Sequence, residues 1–241
     1  MLKVDLHNHT IKSSCGLCTV NEMINEAKER GLEVFGLADH GPKCGLEDVH
    51  FQLYYRLPKY FGKTRVLFGG EFNILDEKGN LDAKEKILKK LDYAIAGFHS
   101  IGQEKNDIEY NTKAMINAIK NPYVKIISHP TYFGYFEVDI ERVAEAACEH
   151  KVLLEINISH FRCEPKLKQG SIPAIKKMIE IIKKNNHFVI VNSDSHHTSE
   201  IGDDSCLDKF RDEIGLTDDI IINNNMEELK KYFPIDVVKE N

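Results

Sequence analysis

The sequence predicts an α/β fold built on a parallel sheet, either closed into a barrel or wound as an open sheet. Three observations carry that expectation. Short apolar runs alternate with amphipathic stretches along most of the 241 residues. The apolar runs lack polar alternation, as strands buried on both faces do. Strand–helix–strand order in turn implies right-handed crossovers and parallel pairing. No Gly-rich phosphate loop follows the first run, which weighs against an open nucleotide-binding sheet.

The strands are expected at Lys3–His7, Val34–Asp39, Arg65–Gly69, Tyr93–Phe98, Val124–Ser128, Val152–Ile156 and Phe188–Asn192. Their apolar, β-branched content and their lengths set them apart from helix. Helical periodicity covers Val20–Arg30, Val49–Tyr60, Ala83–Leu91, Ile108–Asn121, Ile140–His150 and Ser171–Asn186. Two further stretches, Cys206–Ile214 and Met226–Tyr232, follow the last strand. Asn73–Asp82, with Asp76-Glu77-Lys78-Gly79-Asn80 inside it, reads as a hairpin or loop. No linker, repeat or low-complexity segment divides the chain, so residues 1–241 are expected to form one domain.

Composition narrows the function. Hydrophobic residues are 42% and charged residues 29%, enough for a sizeable core. A net charge of −6 gives no overall basic field, so long nucleic acid is not an expected partner. No apolar run approaches the ~20 residues that span a bilayer. Met1-Leu2-Lys3-Val4-Asp5-Leu6 lacks a secretory pattern, so a cytoplasmic location is expected, with its six cysteines reduced.

The chemistry lies at the predicted strand ends. His7 and His9 end the first strand, Asp39 and His40 the second, and the third runs into Glu71. His99, His129, Glu155-Ile156-Asn157 and Asp194-Ser195-His196 end the remaining four. Six of 11 histidines therefore fall at C-terminal strand ends. In a parallel sheet those ends share one side, where active sites are built. Imidazole and carboxylate are ligands for Zn²⁺, Mn²⁺ or Fe, and this number exceeds the needs of one ion, so two or three are expected. His-x-His in extended backbone puts both rings on one face. Glu71 suits a bridge between two ions. His150 and His187 sit at helix ends as ordinary favourable cations, and His50 and His197 read as plain loop residues.

Seven separated motifs resemble the polymerase and histidinol phosphatase (PHP) superfamily, in the manner of its compact bacterial YcdX-type phosphatases. They are Asp5-Leu6-His7-Asn8-His9-Thr10, Ala38-Asp39-His40-Gly41, Gly70-Glu71-Phe72-Asn73, Ala96-Gly97-Phe98-His99, Ile127-Ser128-His129-Pro130, Leu154-Glu155-Ile156-Asn157 and Ser193-Asp194-Ser195-His196. The resemblance implies a distorted (βα)7 TIM-like barrel with helices outside and a trinuclear metal site. By position, His7, His9, Glu71 and Asp194 would hold one ion. Glu71, His99 and His129 would hold a second. His40 and His196 would hold a third with a loop histidine, and that position is Cys15 here. A thiolate ligates zinc, so the third site survives as a softer one favouring Zn²⁺ or Fe over Mn²⁺, or else it is vacant. Cys15-Gly16-Leu17-Cys18 also fits the weak C-x-x-C pattern, Cys44 could approach the same face, and Cys148 and Cys206 read as core.

The expected activity is metal-dependent hydrolysis of a small phosphate monoester by a metal-bridging hydroxide. Asp39 would orient a ligand or donate a proton to the leaving oxygen. The loop Ile158–Gly170 carries His160, Arg162, Lys166 and Lys168, with Arg162 and His160 expected to contact substrate. Competing expectations are diester or exonuclease-type cleavage, histidinol-phosphate phosphatase activity, and a metal-binding module without turnover. An amidohydrolase is disfavoured, because Glu71 takes the place of the bridging group. An oligomer is conceivable from the subgroup resemblance.

Overall fold

The apolar runs become short strands covered on both faces. They are β1 (Val4–Asp5), β2 (Val34–Leu37), β3 (Tyr60–Phe61), β4 (Thr64–Phe68), β5 (Glu71–Asn73), β6 (Ala94–Gly97), β7 (Val124–Ile127), β8 (Leu153–Asn157) and β9 (Val189–Asn192). The helices are α1 (Val20–Glu29), α2 (Asp48–Leu53), α3 (Glu85–Leu88), α4 (Ile108–Ile119), α5 (Ile140–His150), α6 (Ser159–Arg162), α7 (Ser171–Lys184), α8 (Arg211–Ile214) and α9 (Met226–Leu229). The structure, a computed structural model, describes residues 1–44, 47–99, 106–132, 136–162 and 171–235.

One sheet has the order β1-β2-β4-β3 and the other β5-β6-β7-β8-β9. Among these pairings only β3 with β4 is antiparallel. β4 pairs with β2 while β5 pairs with β6, so the two occupy one barrel position in succession. The step between sheets falls at Gly69-Gly70. A Cβ on Gly69 would stand 2.4 Å from the Tyr93 ring, and one on Gly70 2.6 Å from the Phe72 ring, so only glycine lets these rings close on the break. The barrel is split rather than closed by a continuous ladder. Its two sheets meet at isolated parallel bridges, His40 with Glu71 on one seam and Asn8 with Ser195 on the other. Asn8 also donates to the carbonyl of Gly36 at 3.0 Å, tying that seam to β2.

Strand periodicity separates an apolar floor from a polar top. Val4, Val34, Leu67, Ile95, Ile126, Leu153 and Ile190 form one buried cluster, completed by Ile222, Leu229 and Phe233 from the C-terminal segment. Two residues further along the same stripes the side chains turn polar: Leu153 gives way to Glu155, and Ile190 to Asn192 and then Asp194. The alternate strand residues, such as Phe35, Leu37, Ile127, Leu154 and Val191, belong to a second cluster shared with the helices. α4, α5 and α7 pack side by side there. α1 starts at a capping box in which Thr19 and Glu22 bond reciprocally, and this fixes the end of the loop that carries Cys15.

Several helices are shorter than their periodicity predicts. The stretch expected to be helical to Tyr60 ends as α helix at Leu53, followed by a 3-10 turn at Tyr54–Arg56. Pro58 explains the stop: it disfavours helix at the preceding residue, and Leu57 is extended with ψ 144°. Tyr60-Phe61 then turns at Gly62, φ 63°, and pairs with β4 as an unpredicted strand. Ala83–Leu91, Cys206–Ile214 and Met226–Tyr232 contract to α3, α8 and α9. No helix among the described residues is long and apolar enough to cross a membrane.

Candidate metal centre

The polar top is organised around Glu71, the first residue of β5, which is 1% exposed. Its two oxygens face different partners. Oε2 lies 3.1 Å from His7 Nε2, 3.4 Å from His9 Nε2 and 3.0 Å from His40 Nδ1. Oε1 lies 3.0 Å from His99 Nε2 and 3.2 Å from His129 Nε2. Asp194 joins the first group, its Oδ1 3.2 Å from His9 Nε2 and 3.6 Å from His7 Nε2. A third group gathers on the far side of His9, where donor atoms of His9, Cys15, His40 and His196 lie within 4.8 Å of one another. Cys44 also comes within that distance of His40 and His99, and its Sγ accepts from Asn73 Nδ2 at 3.3 Å.

These spacings fit donor atoms sharing ions. Tetrahedral donors ~2.1 Å from a centre are roughly 3.4 Å apart. His40 Nδ1 and Asp194 Oδ1 are buried yet lack a hydrogen-bond partner among the described residues. His40 Nδ1 is at hydrogen-bond distance from Glu71 without hydrogen-bond alignment.

The electrostatics point the same way. Burial would raise Glu71, but His7, His99 and His40 hold it well below the usual carboxylate range. Burial would lower His7, but Glu71, Glu155 and Asp194 lift it well above the usual imidazole range. His40 is pushed up to about 11 against its burial, by Glu71 and a hydrogen bond with Cys15. Burial raises the Cys15 thiol, but hydrogen bonds from His196 and His40 outweigh it and bring the thiol to about 7. The buried anions and the raised imidazoles of His7 and His40 thus stabilise one another, while burial lowers His9 and His99.

Two ligand-type imidazoles are fixed by partners on their outer nitrogens. Glu155, buried at the end of β8, accepts from His7 Nδ1 at 2.8 Å. Asn73 Oδ1 accepts from His99 Nδ1 at 2.9 Å. Each bond leaves Nε2 facing Glu71. Ser13 Oγ stands 3.1 Å from His9 Nδ1. His129 and Asp194 sit in the left-handed region with φ 34° and 51°, a strained backbone at the points where two ligand-type side chains enter the cluster.

The nine residues His7, His9, Cys15, His40, Glu71, His99, His129, Asp194 and His196 therefore converge. For Asp39 one of the two expected roles fits the contacts, and Arg162 has a protein partner. Asp39 is not positioned to donate a proton: its carboxylate accepts from the Thr10 and Ser13 backbone N–H groups, both of their hydroxyls and the Tyr54 hydroxyl. It shapes the Thr10–Ser13 loop, and through Ser13 it supports His9 and the His40 N–H. Replacing Asp39 by Ala should cost about 2–3 kcal/mol of stability, read from urea unfolding, because five buried donors lose an ionised acceptor. The Arg162 guanidinium is taken up by Glu200, at 2.9 Å to its carbonyl and 3.4 Å to its carboxylate. Glu200 in turn accepts the His196 N–H at 2.8 Å, so Arg162 braces His196. His160 lies beside His129, with ring centroids 5.9 Å apart. Cys163, Lys166 and Lys168 lie outside the described residues. Cys15, Cys18, Cys44, Cys148 and Cys206 are free thiols. The sequence located Glu155 in a motif but gave it no role; its place on the inward stripe of β8, two residues after Leu153, was the available signal.

Comparison with known proteins places this geometry in context. The family model described as PHP domain matches residues 5–194. A probable phosphatase of Thermoanaerobacter sp. (strain X514) is 39% identical over 234 residues, covering 96% of this chain and 94% of its own. A probable phosphatase of Acetivibrio thermocellus is 36% identical, covering 95% and 94%. Among solved structures, histidinol phosphate phosphatase from Lactococcus lactis, complexed with zinc, L-histidinol and phosphate, superposes with a TM-score of 0.57 at 18% identity, covering 88% of this chain and 92% of that one. A chain of archaeal ribonuclease P with mature tRNA superposes at 0.61 and 16% identity over 99% of both. At such identities the two structures show a shared fold.

Proposed function

The chain belongs to the PHP domain family, and from that premise we propose that it is a cytoplasmic metal-dependent phosphomonoesterase acting on a small phosphate ester. The observation that carries this reading is the division of Glu71: one oxygen faces His7, His9 and His40, the other His99 and His129. That is the donor arrangement of a carboxylate between two ions. His7, His9, Glu71 and Asp194 would hold one ion and Glu71, His99 and His129 a second. Cys15, His40 and His196 would hold a third, and zinc suits the thiolate best, with iron and manganese as alternatives. Bound there, the ions supply Lewis-acid polarisation of a phosphoryl oxygen and acidify water.

The protein's own part is placement. Glu155 and Asn73 set the tautomers of His7 and His99. Asp39 and Ser13 set the loop behind His9, and Arg162 with Glu200 sets His196. His7, His9 and Glu71 are almost wholly buried, so little water competes for their donor atoms. Hydrolysis moves the phosphoryl group from an alcohol to water, and the alcohol leaves with a water proton. The net charge of −6 favours a small ester over long nucleic acid.

The test is release of inorganic phosphate from monoesters, set against cleavage of a diester, after chelation and reloading with Zn²⁺, Mn²⁺ or Fe²⁺. Loss on chelation and recovery on reloading support the reading; indifference to both overturns it. For Cys15→Ala, plasma mass spectrometry should count about two tightly held ions per chain where the parent holds about three. An unchanged count would remove Cys15 from the ligand set.

A further inference from the structure

The opposite end of the barrel carries a second concave surface. Its walls come from the N-terminal ends of β7, β8 and β9 and from the residues after α9, so it lies on the side away from the metal centre. Lys125 on β7 and His129 are four residues apart, on the order of 13 Å along an extended chain. The cavity has a volume of about 540 Å³, within the ~300–1,000 Å³ of small-molecule sites.

Two kinds of lining meet in it. Lys125, Lys151 and Lys231 supply three ammonium groups, against one carboxylate, Glu228, among the described lining residues. That reverses the sign of a chain whose net charge is −6. Lys231 Nζ bonds to Glu228 Oε1 at 2.7 Å, and Lys125 Nζ donates to the Pro122 carbonyl at 3.0 Å. The Lys151 ammonium has no partner among the described residues. Lys151 caps α5 and Lys231 follows α9, where a cation answers the helix carbonyls. Lys125 lies within a strand, so no helix end accounts for it. The second kind of lining is aromatic. Tyr232 and Phe188 are half-buried in the wall, and the Tyr232 ring stands 6.4 Å from His187. His187 is not one more cation: burial lowers it, and its Nε2 donates to the Val152 carbonyl at 2.9 Å. The Tyr232 hydroxyl has no hydrogen-bond partner among the described residues.

Ammonium groups hold oxyanions as point charges, and a half-buried ring beside them offers a flat apolar face. We propose that this cavity is a second ligand site, for a small organic phosphate that carries a flat heteroaromatic ring, a nucleotide in chemical class. Its phosphate lies among Lys125, Lys151 and Lys231, and its ring lies against Tyr232. The site stands apart from the phosphatase reading: it shares no residue with the metal centre, and its ligand is bound, not cleaved.

The test is protection of Lys125 from acylation in the full, metal-loaded chain, read by peptide mass spectrometry. The probe is the phosphonate isostere of adenosine 5′-monophosphate, whose P–C bond a phosphatase leaves intact. Lys125 should be half-protected below about 1 mM probe, while exposed Lys78, remote from the cavity, stays reactive. Lys151→Asn combined with Lys231→Ala should raise that concentration at least about fivefold. Asparagine suits position 151, where φ is 55°. Methylphosphonate, which has no ring, should need roughly tenfold more than the isostere, and Tyr232→Leu should close that gap. No protection at about 10 mM probe, or equal protection in the double variant, overturns the site. Equal potency of methylphosphonate overturns the place of the ring. Where the double variant does not fold, salt decides on the parent. Half-protection should then move to higher probe concentration between about 0.05 and 0.5 M NaCl, and a salt-independent value overturns the place of the phosphate among the lysines.

Discussion

Glu71→Gln is expected to lower phosphate release about a thousandfold, on the order of 4 kcal/mol of barrier. The size of the effect follows from its position. No other carboxylate among the described residues faces His7, His9, His40, His99 and His129 together, and it does so from a residue 1% exposed. A glutamine can offer one oxygen to one side of the cluster and must turn its NH2 toward nitrogens that have to remain electron-pair donors. One of the two ion positions is then opposed by an N–H, and the charge that draws cations into the site is lost. Metal per chain should fall by at least about one ion. Circular dichroism should stay native, because β5 keeps its backbone pairing with β6. A variant that keeps its full metal complement and lies within tenfold of the parent would overturn the proposed bridging role of Glu71.

The sequence carried the convergence of the site further than it carried the fold's irregularities. His7, His9, His99 and His129 could be aligned because parallel strands put their C-terminal ends on one side, and that depends on strand order alone. The break at Gly69-Gly70 was not legible, since Arg65–Gly69 reads as one apolar strand. The need for glycine there arises from Tyr93 and Phe72, which approach from elsewhere in the chain. The false helix to Tyr60 was legible in principle, because Pro58 carries a local signal that the apolar spacing masked. Asp39 left two readings open for a different reason. A carboxylate beside a ligand histidine looks chemical in sequence, and only the donors Thr10, Ser13 and Tyr54, brought in by the loop and by the turn after α2, reveal its duty. Glu155 was overlooked by the same logic in reverse, as its partners His7 and His129 follow β1 and β7, and Asn192 ends β9.

That convergence on Glu155 makes Glu155→Gln the second large effect. Oε1 accepts from His7 Nδ1 at 2.8 Å and from Asn192 Nδ2 at 2.9 Å. Oε2 accepts from the His129 backbone N–H and from Asn157 Nδ2, both at 3.0 Å. All four partners donate, so a glutamine has no harmless orientation. With its NH2 in the Oε1 place it faces His7, which can answer only by moving its proton to Nε2, the nitrogen aimed at Glu71. With its NH2 in the Oε2 place it opposes the N–H that holds His129 at φ 34°, and that strained backbone is free to relax. Either way a ligand is misaimed, and affinity at the His7 or His129 position should drop about 10–100-fold. The Cys15, His40 and His196 position does not bond to Glu155 and should be spared. Cobalt distinguishes local from global damage. In Glu155→Gln the thiolate-to-cobalt charge-transfer band of Cys15 should persist while total cobalt per chain falls. Loss of the band together with the metal would mean that Glu155 holds up the whole top of the barrel rather than these two ligands. Full retention of both would mean that the four hydrogen bonds are dispensable for ligand placement.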